Sequence, residues 1–162
     1  MGLGLGLGCL LAAAMFEDPI LVWNATPSLP QGLYRATQQR PERNDLVLIR
    51  LPARTRALAA RRGYLPRSAY LLKPVVARDG DVVCRVGRRV TVRGRFAAQA
   101  QRFDGLGRPM PSWHGCRRLG PGTLFLLAPH ADSFDSRYFG PVSAATLVAG
   151  AVLIWSLRTQ NP

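Results

Sequence analysis

Tyr70-Leu71-Leu72-Lys73-Pro74-Val75-Val76-Ala77 is an apolar, branched run that reads as a strand, and it carries the single lysine of a chain that otherwise uses 21 arginines. Arginine keeps its proton in proteins, whereas lysine loses it when stripped of water. Pro74 biases Lys73 towards an extended backbone. On such a strand Leu71 and Val75 alternate onto the face of Lys73 and can supply the desolvation. The demand is severe. An amine with a pKa of about 10.4 must fall by about three units to be neutral near pH 7, about 4 kcal/mol of differential solvation. A neutral buried lysine is a general base, and a general base needs a nucleophile. Arginine bias also follows from nucleotide composition, so the lysine takes its meaning from its surroundings.

Outward from this strand, residues 45–51 (DLVLIRL), 82–86, 89–92 and 122–128 (GTLFLLA) read as further strands. Gly87-Arg88 turns a hairpin and Asp79-Gly80-Asp81 forms a turn. Residues 53–62 (ARTRALAARR) are the best helix, preceded by Pro52, closed by Gly63, with Arg61 and Arg62 at the carboxyl end. Residues 103–111 are a loop with a turn core. The last apolar run, residues 142–157, is shorter than the roughly 20 residues of a helical span and reads as a buried strand pair. Residues 24–32 (NATPSLPQG) form a stiff loop whose two prolines and glycine set an extended backbone with little hairpin character. Short strands, turn signals and one short helix predict a mainly β domain.

Residues 1–16 are uncharged, and after Glu17-Asp18-Pro19 the apolar run resumes to Trp23. The stretch is glycine-rich, short for a span and without a basic leader. We read residues 1–23 as a membrane anchor or uncleaved signal and residues 24–162 as the domain that carries the chemistry. The net charge of +13 permits nucleic acid or anionic lipid as a partner. The arginines are spread from Arg35 to Arg158 without a dense tract interleaved with aromatics, so they read as a solvated face, with attraction to a membrane surface secondary. Cys84 and Cys116 would be bridged in an exported domain and reduced in a cytosolic one; Cys9 lies in the apolar stretch. His114 and Cys116 lack a second pair of ligands, so neither a metal nor another cofactor is expected.

Ser28 sits in the stiff loop, and such a loop can hold a hydroxyl beside a strand lysine without much loss of ordering entropy. Taken singly, Ser28 is a turn serine and Thr26 a cap or turn residue. In residues 133–140 (SFDSRYFG) an aspartate lies two before an arginine, the spacing of a structural ion pair, among aromatics that suit a buried polar network.

Residues 24–32, 70–82 (YLLKPVVARDGDV) and 132–140 (DSFDSRYFG), in that order, resemble the three signatures of the signal peptidase I superfamily. The Asn-x-Thr-x-Ser-x-Pro-x-Gly-x-Tyr form of the first, ending at Tyr34, and the stretch GRPMPSWHGCRRLGPGTLFLLAPH are similar to conjugative-transfer peptidases of the TraF type. The resemblance runs from Asn24 to Trp155. It implies a signal-peptidase-like antiparallel β domain with Ser28 as nucleophile and Lys73 as general base. Thr26 and the Ser28 backbone N–H would hold the oxyanion, and Ser133 would orient the lysine. Asp135 and Arg137 would form a structural ion pair behind the site, the aspartate counted by some accounts as a third catalytic member. With this resemblance we expect a Cys84–Cys116 disulfide in an oxidising periplasm. The chain departs from the superfamily at Pro74, where arginine is usual, and at Asn44-Asp45, where Gly-Asp is usual.

The implied function is a serine endopeptidase, anchored in the bacterial inner membrane and facing the periplasm, that processes a conjugative pilin precursor by acyl transfer. Water, or the precursor's own amino terminus, would resolve the acyl-enzyme, and the second route gives a cyclic product. Its partners would be the pilin precursor and inner-membrane lipid, not nucleic acid. Two alternatives stand beside this. A general leader peptidase is disfavoured by the short chain, which lacks room for a large accessory domain. A basic nucleic-acid-binding module of the transfer apparatus is disfavoured by the lack of a helix-turn-helix, zinc knuckle or aromatic-basic platform.

Overall fold

The computed structural model describes residues 21–157. Its strands are β1 (Leu21–Asn24), β2 (Gly32–Thr37), β3 (Leu46–Ile49), β4 (Leu71–Ala77), β5 (Val82–Val86), β6 (Arg89–Val92), β7 (Arg95–Gln99), β8 (Gly115–Arg118), β9 (Thr123–Leu126), β10 (Val142–Ser143) and β11 (Leu147–Ser156). Helices α1 (Ala53–Arg61) and α2 (Ser136–Phe139) and a 3-10 turn at Ala144–Thr146 complete the described elements. A seven-stranded sheet runs β1-β2-β11-β3-β4-β9-β10 and a four-stranded sheet runs β7-β6-β5-β8. Every pairing is antiparallel.

Strands β3 and β4 read as unbroken apolar runs because both of their faces are covered. Val47, Ile49, Leu71 and Val75 pack on one side with Leu51, Ala59 of α1 and Leu126 of β9. Leu48 and Leu72 pack on the other with Tyr34, Ala149 and Ala151. The four-stranded sheet closes a separate cluster in which Val83, Val90 and Ala98 meet Trp113 and Phe125. Helix α1 begins directly after Pro52 and ends at Gly63, whose φ of 72° is natural for glycine. There Tyr64 N–H donates to Ala59 O and Gly63 N–H to Ala60 O, a Schellman stop that sends residues 64–70 back towards β4.

Four expectations need correction. A second helix, α2, joins the one predicted; its single turn is too short for any apolar period to show, and it is set by Asp135, whose carboxylate accepts from Arg137 N–H. The loop 24–32 is the connection of a hairpin, since β1 pairs with β2 from Leu21–Arg35 to Asn24–Gly32. Its prolines lie inside the loop, where they break no strand pairing. Residues 142–157 form two unequal strands that do not pair with each other: β10 lies against β9, while β11 lies between β2 and β3. Leu21–Trp23, read together with the anchor, belong to β1, and residues 1–20 of that anchor lie outside the described residues. Among the described residues no helix is long and apolar enough to cross a membrane.

Cys84 and Cys116 face each other directly across β5 and β8 and are joined by a disulfide, with Cα atoms 4.0 Å apart. The bridge closes a loop that contains β6, β7 and residues 103–111. Replacing both cysteines by serine is expected to lower the free energy of unfolding by about 2–4 kcal/mol, read by denaturant titration against wild type. At Gly32 a Cβ would lie 2.1 Å from Trp155 O and 2.7 Å from Ser156 Cα, both backbone atoms of β11. Gly32→Ala is therefore expected to destabilise by about 3 kcal/mol or more through forced backbone displacement, and an unfolding midpoint equal to wild type would contradict that packing.

Candidate active site

The sequence pattern Asn24-x-Thr26-x-Ser28-x-Pro30-x-Gly32-x-Tyr34 has a physical reason at every named position. Asn24 ends β1 buried, and its Nδ2 donates to the carbonyls of Thr26, Leu29 and Pro30 at 3.0, 3.2 and 3.2 Å. Its Oδ1 accepts from Thr26 N–H at 3.2 Å and from Thr26 Oγ1 at 2.8 Å. Tyr34, fully buried on β2, donates its hydroxyl to Pro30 O at 2.7 Å, and Gln31 Nε2 donates to Ala25 O at 2.6 Å. Gly32 lets β2 approach β11. Side chains therefore clamp the hairpin loop that strand pairing leaves free, and Ser28 sits inside it.

Lys73 lies in the middle of β4 opposite Val47 and is 4% exposed. Its Nζ is 2.6 Å from Ser28 Oγ, and Ser28 Oγ is 3.1 Å from Thr26 Oγ1. Burial lowers the pKa of Lys73 from 10.5 to about 8; the Asp135 carboxylate opposes that shift and the Arg137 guanidinium reinforces it. At pH 7 roughly one molecule in ten then holds the amine as a free base. Among the described residues the Ser28 backbone N–H donates to no protein acceptor, so it can bind a developing oxyanion.

Behind the lysine, Asp135 and Arg137 form a buried fork. Arg137 Nε donates to Asp135 Oδ1 at 2.8 Å and Nη2 to Oδ2 at 2.9 Å. Arg137 also donates to Ala128 O and Ala131 O, and Asp135 accepts from Ala128 N–H. All of its polar contacts turn the pair into a brace for the chain between β9 and α2. Arg85, buried on β5, donates to Arg137 O at 2.5 Å and so ties the small sheet to that brace. Nothing in the sequence singled out Arg85 among 21 arginines.

Ser133 lines the same cleft as Lys73, and no hydrogen bond joins the two. Its Oγ is buried and, among the described residues, is the one buried side-chain polar atom with no hydrogen-bond partner. The departures are accommodated. Asn44 takes φ 73°, a left-handed conformation that asparagine tolerates and that explains glycine as the usual residue there. Pro74 has no N–H to give, and its carbonyl still accepts from Leu127 N–H.

The site opens into a cleft of about 840 Å³. One wall is β1, the edge strand of the large sheet. The other is built from residues 64–70 and 101–110. These segments are locked together: Asp104 accepts from Tyr64 Oη and Arg108 Nε, Arg62 Nη1 donates to Pro109 O, and Arg108 Nη2 donates to Arg62 O. Desolvation pushes the Asp104 carboxyl up, but the hydrogen bonds it accepts from Tyr64, Arg108 and Leu106 together outweigh it and hold the group below the ordinary carboxylate range.

The family model for signal peptidase, peptidase S26, matches residues 2–156. A protein of Sinorhizobium fredii (strain NBRC 101917 / NGR234) named "Probable conjugal transfer protein TraF" is 42% identical over 138 residues, 77% of this chain and 71% of the relative. A "Plasmid transfer protein TraF" of Escherichia coli is 31% identical over 168 residues, 96% of this chain and 94% of the relative. The crystal structure of a signal peptidase I from Enterococcus faecalis V583 aligns with a TM-score of 0.41 and 16% identity, covering 70% of this chain and 98% of that one. A family match through nearly the whole chain, together with two relatives above 30% identity over most of their own length, places it: the chain belongs to the signal peptidase family, peptidase S26, and is a serine peptidase of that family.

Proposed function

We propose that this chain is a Ser-Lys endopeptidase that processes a conjugative pilin precursor. The observation that carries the reading is the buried Lys73 amine 2.6 Å from Ser28 Oγ. Neutral Lys73 takes the Ser28 proton as Ser28 Oγ bonds to the scissile carbonyl carbon. Thr26 and the Ser28 N–H hold the oxyanion. Collapse breaks the C–N bond, the amine leaves with a proton from Lys73, and an ester to Ser28 remains. Water resolves that ester to a linear product; the precursor's own amino terminus resolves it to a ring. The same groups serve both routes.

The choice of a pilin rests on relatives named as conjugal and plasmid transfer proteins. Among the described residues β1 is the edge strand along the cleft, and an edge strand can receive an extended peptide. A membrane setting is favoured by the exposed side of β1 and β11. Leu21, Trp23, Val152 and Trp155 are about half exposed there, and the two indoles stack at 5.9 Å beside the active-site loop. In this reading the apolar stretch that precedes β1 anchors the chain in the inner membrane, the catalytic domain begins with β1, and the disulfide suits a periplasmic location.

Base catalysis by an amine titrating near 8 gives kcat/KM rising about tenfold per pH unit below that value and level above it. Lys73→Arg is expected to be inactive, because arginine stays protonated; near-normal turnover would remove Lys73 as the base. The folded pKa lies below the unfolded one, so the unfolded chain holds the extra proton between about pH 8 and 10.5. The resulting penalty, about 3 kcal/mol, is complete below pH 8 and disappears as pH rises through that window. Lys73→Met is therefore expected to be inactive yet more stable than wild type at pH 7, with the difference shrinking above pH 8 in denaturant titrations. Co-expression with a candidate pilin precursor, followed by intact-mass analysis, tests the substrate. Cleavage by wild type and none by Ser28→Ala supports the reading, and a product lighter than the linear form by one water identifies the ring. A precursor left untouched by wild type, alongside cleavage of unrelated secretory precursors, would favour a general leader peptidase.

A further inference from the structure

Resting on the Ser28–Lys73 reading, one set of hydrogen bonds has a direction that the contacts themselves determine. Asn24 Nδ2 faces three carbonyl oxygens, and Asn24 Oδ1 faces a backbone N–H that can only donate. The amide therefore has one orientation, with its oxygen towards Thr26. A hydroxyl carries one proton. Since Asn24 Oδ1 only accepts, the Thr26 proton points at Asn24 across their 2.8 Å contact. Thr26 Oγ1 must then accept at its 3.1 Å contact with Ser28, so the Ser28 proton points at Thr26. Ser28 Oγ is left to accept from Lys73 Nζ at 2.6 Å. Every bond in the row donates the same way, from Lys73 to Ser28 to Thr26 to Asn24.

That direction belongs to the unreactive state. Deprotonation of Ser28 needs its proton on the lone pair of Nζ, with Thr26 turned round to donate to Ser28 Oγ or to the oxyanion. We propose that Asn24 is a positioning residue that sets the direction of this proton row and so holds Lys73 as donor to Ser28, the one role open to its ammonium form, until the row reverses. Its Nδ2 bonds keep the loop in shape, while its Oδ1 acts as a latch on the Thr26 hydroxyl. Cutting the row at Asn24 or at Thr26 frees the Ser28 proton to turn towards Lys73, which favours the neutral amine.

The chain supplies its own probe. Lys73 is its only lysine, so full-length protein made with 13Cε,15Nζ-lysine gives one side-chain signal whose pH titration reports this amine alone. Asp135 and Arg137 act on Lys73 from the N-cap and first turn of α2. Among the described residues the remaining ionisable groups on the cleft are His130, Asp132, Asp104, Tyr64, Tyr70 and Tyr138. None of these is altered in the variants, so a change of midpoint belongs to the row.

Asn24→Ala is expected to lower the Lys73 midpoint by about half to one pH unit, the effect of one hydrogen bond of ordinary strength. Thr26→Val, which keeps the shape and removes the hydroxyl, should lower it similarly, and Asn24→Ala added to Thr26→Val should move it no further. Thr26→Ser should restore the wild-type midpoint. A purely structural Asn24 would leave the midpoint where it is in Thr26→Val, so that variant decides the matter even where Asn24→Ala fails to fold. An unmoved midpoint in Thr26→Val, or a second full shift in the double variant, overturns the proposal. A wild-type midpoint near that of free lysine would instead overturn the general-base reading, a separate and distinguishable failure.

Discussion

An amine buried on an interior strand of a sheet is the constraint around which the rest is arranged. On β4, Lys73 has β3 on one side and β9 on the other, and its side chain lines the cleft. Burial alone would discharge it, and a lone buried carboxylate beside it would keep it charged. The structure supplies a carboxylate already gripped by a guanidinium. Asp135 raises the amine's pKa and Arg137 lowers it, and their opposition leaves desolvation as the dominant influence. The fork between Asp135 and Arg137 is thus an almost neutral support, able to carry the backbone of α2 without fixing the protonation of its neighbour. Loss of either partner would leave a buried unpaired charge and a site of the wrong potential.

The nucleophile is held by other means. Strand pairing ends at Asn24–Gly32, and Ser28 lies beyond it. Hydrogen bonds from Asn24, Gln31 and Tyr34 replace the missing ladder. A loop braced this way keeps the serine within reach of the lysine.

Much of this was legible in the sequence because the informative residues break local rules. A lysine inside YLLKPVVA, an alternating NATPSLPQGLY and an Asp-x-Arg among aromatics all conflict with bland packing, and the structure gathers all three around one cleft. The strands buried on both faces were legible from their continuous apolar runs. Strands β2, β7 and β8 were not. β8 is exposed at all four positions, so no alternation marks it, and the sequence of β7 places a single buried alanine among exposed residues. β2 is marked mainly by Gly32 and Tyr34, whose reasons lie in β11 more than a hundred residues away. Arg85 illustrates the same limit: its meaning comes from the carbonyl of Arg137, and composition hides it among its kind.

The two walls of the cleft differ in kind, and the difference follows from how each is tied. The wall carrying residues 101–110 lies inside the loop closed by Cys84–Cys116, and Asp104, Arg108, Arg62 and Tyr64 pin it to the end of α1. It is cross-linked twice, once covalently and once by charge. Among the described residues the β1 wall pairs with β2 alone; it turns exposed Leu21 and Trp23 outward and leads directly into the loop that holds Ser28. A peptide laid along β1 would therefore meet the less cross-linked wall and Ser28 together. Cross-links are concentrated on the wall of residues 101–110, while strand pairing and the side-chain clamp of the 24–34 segment hold the wall that carries Ser28.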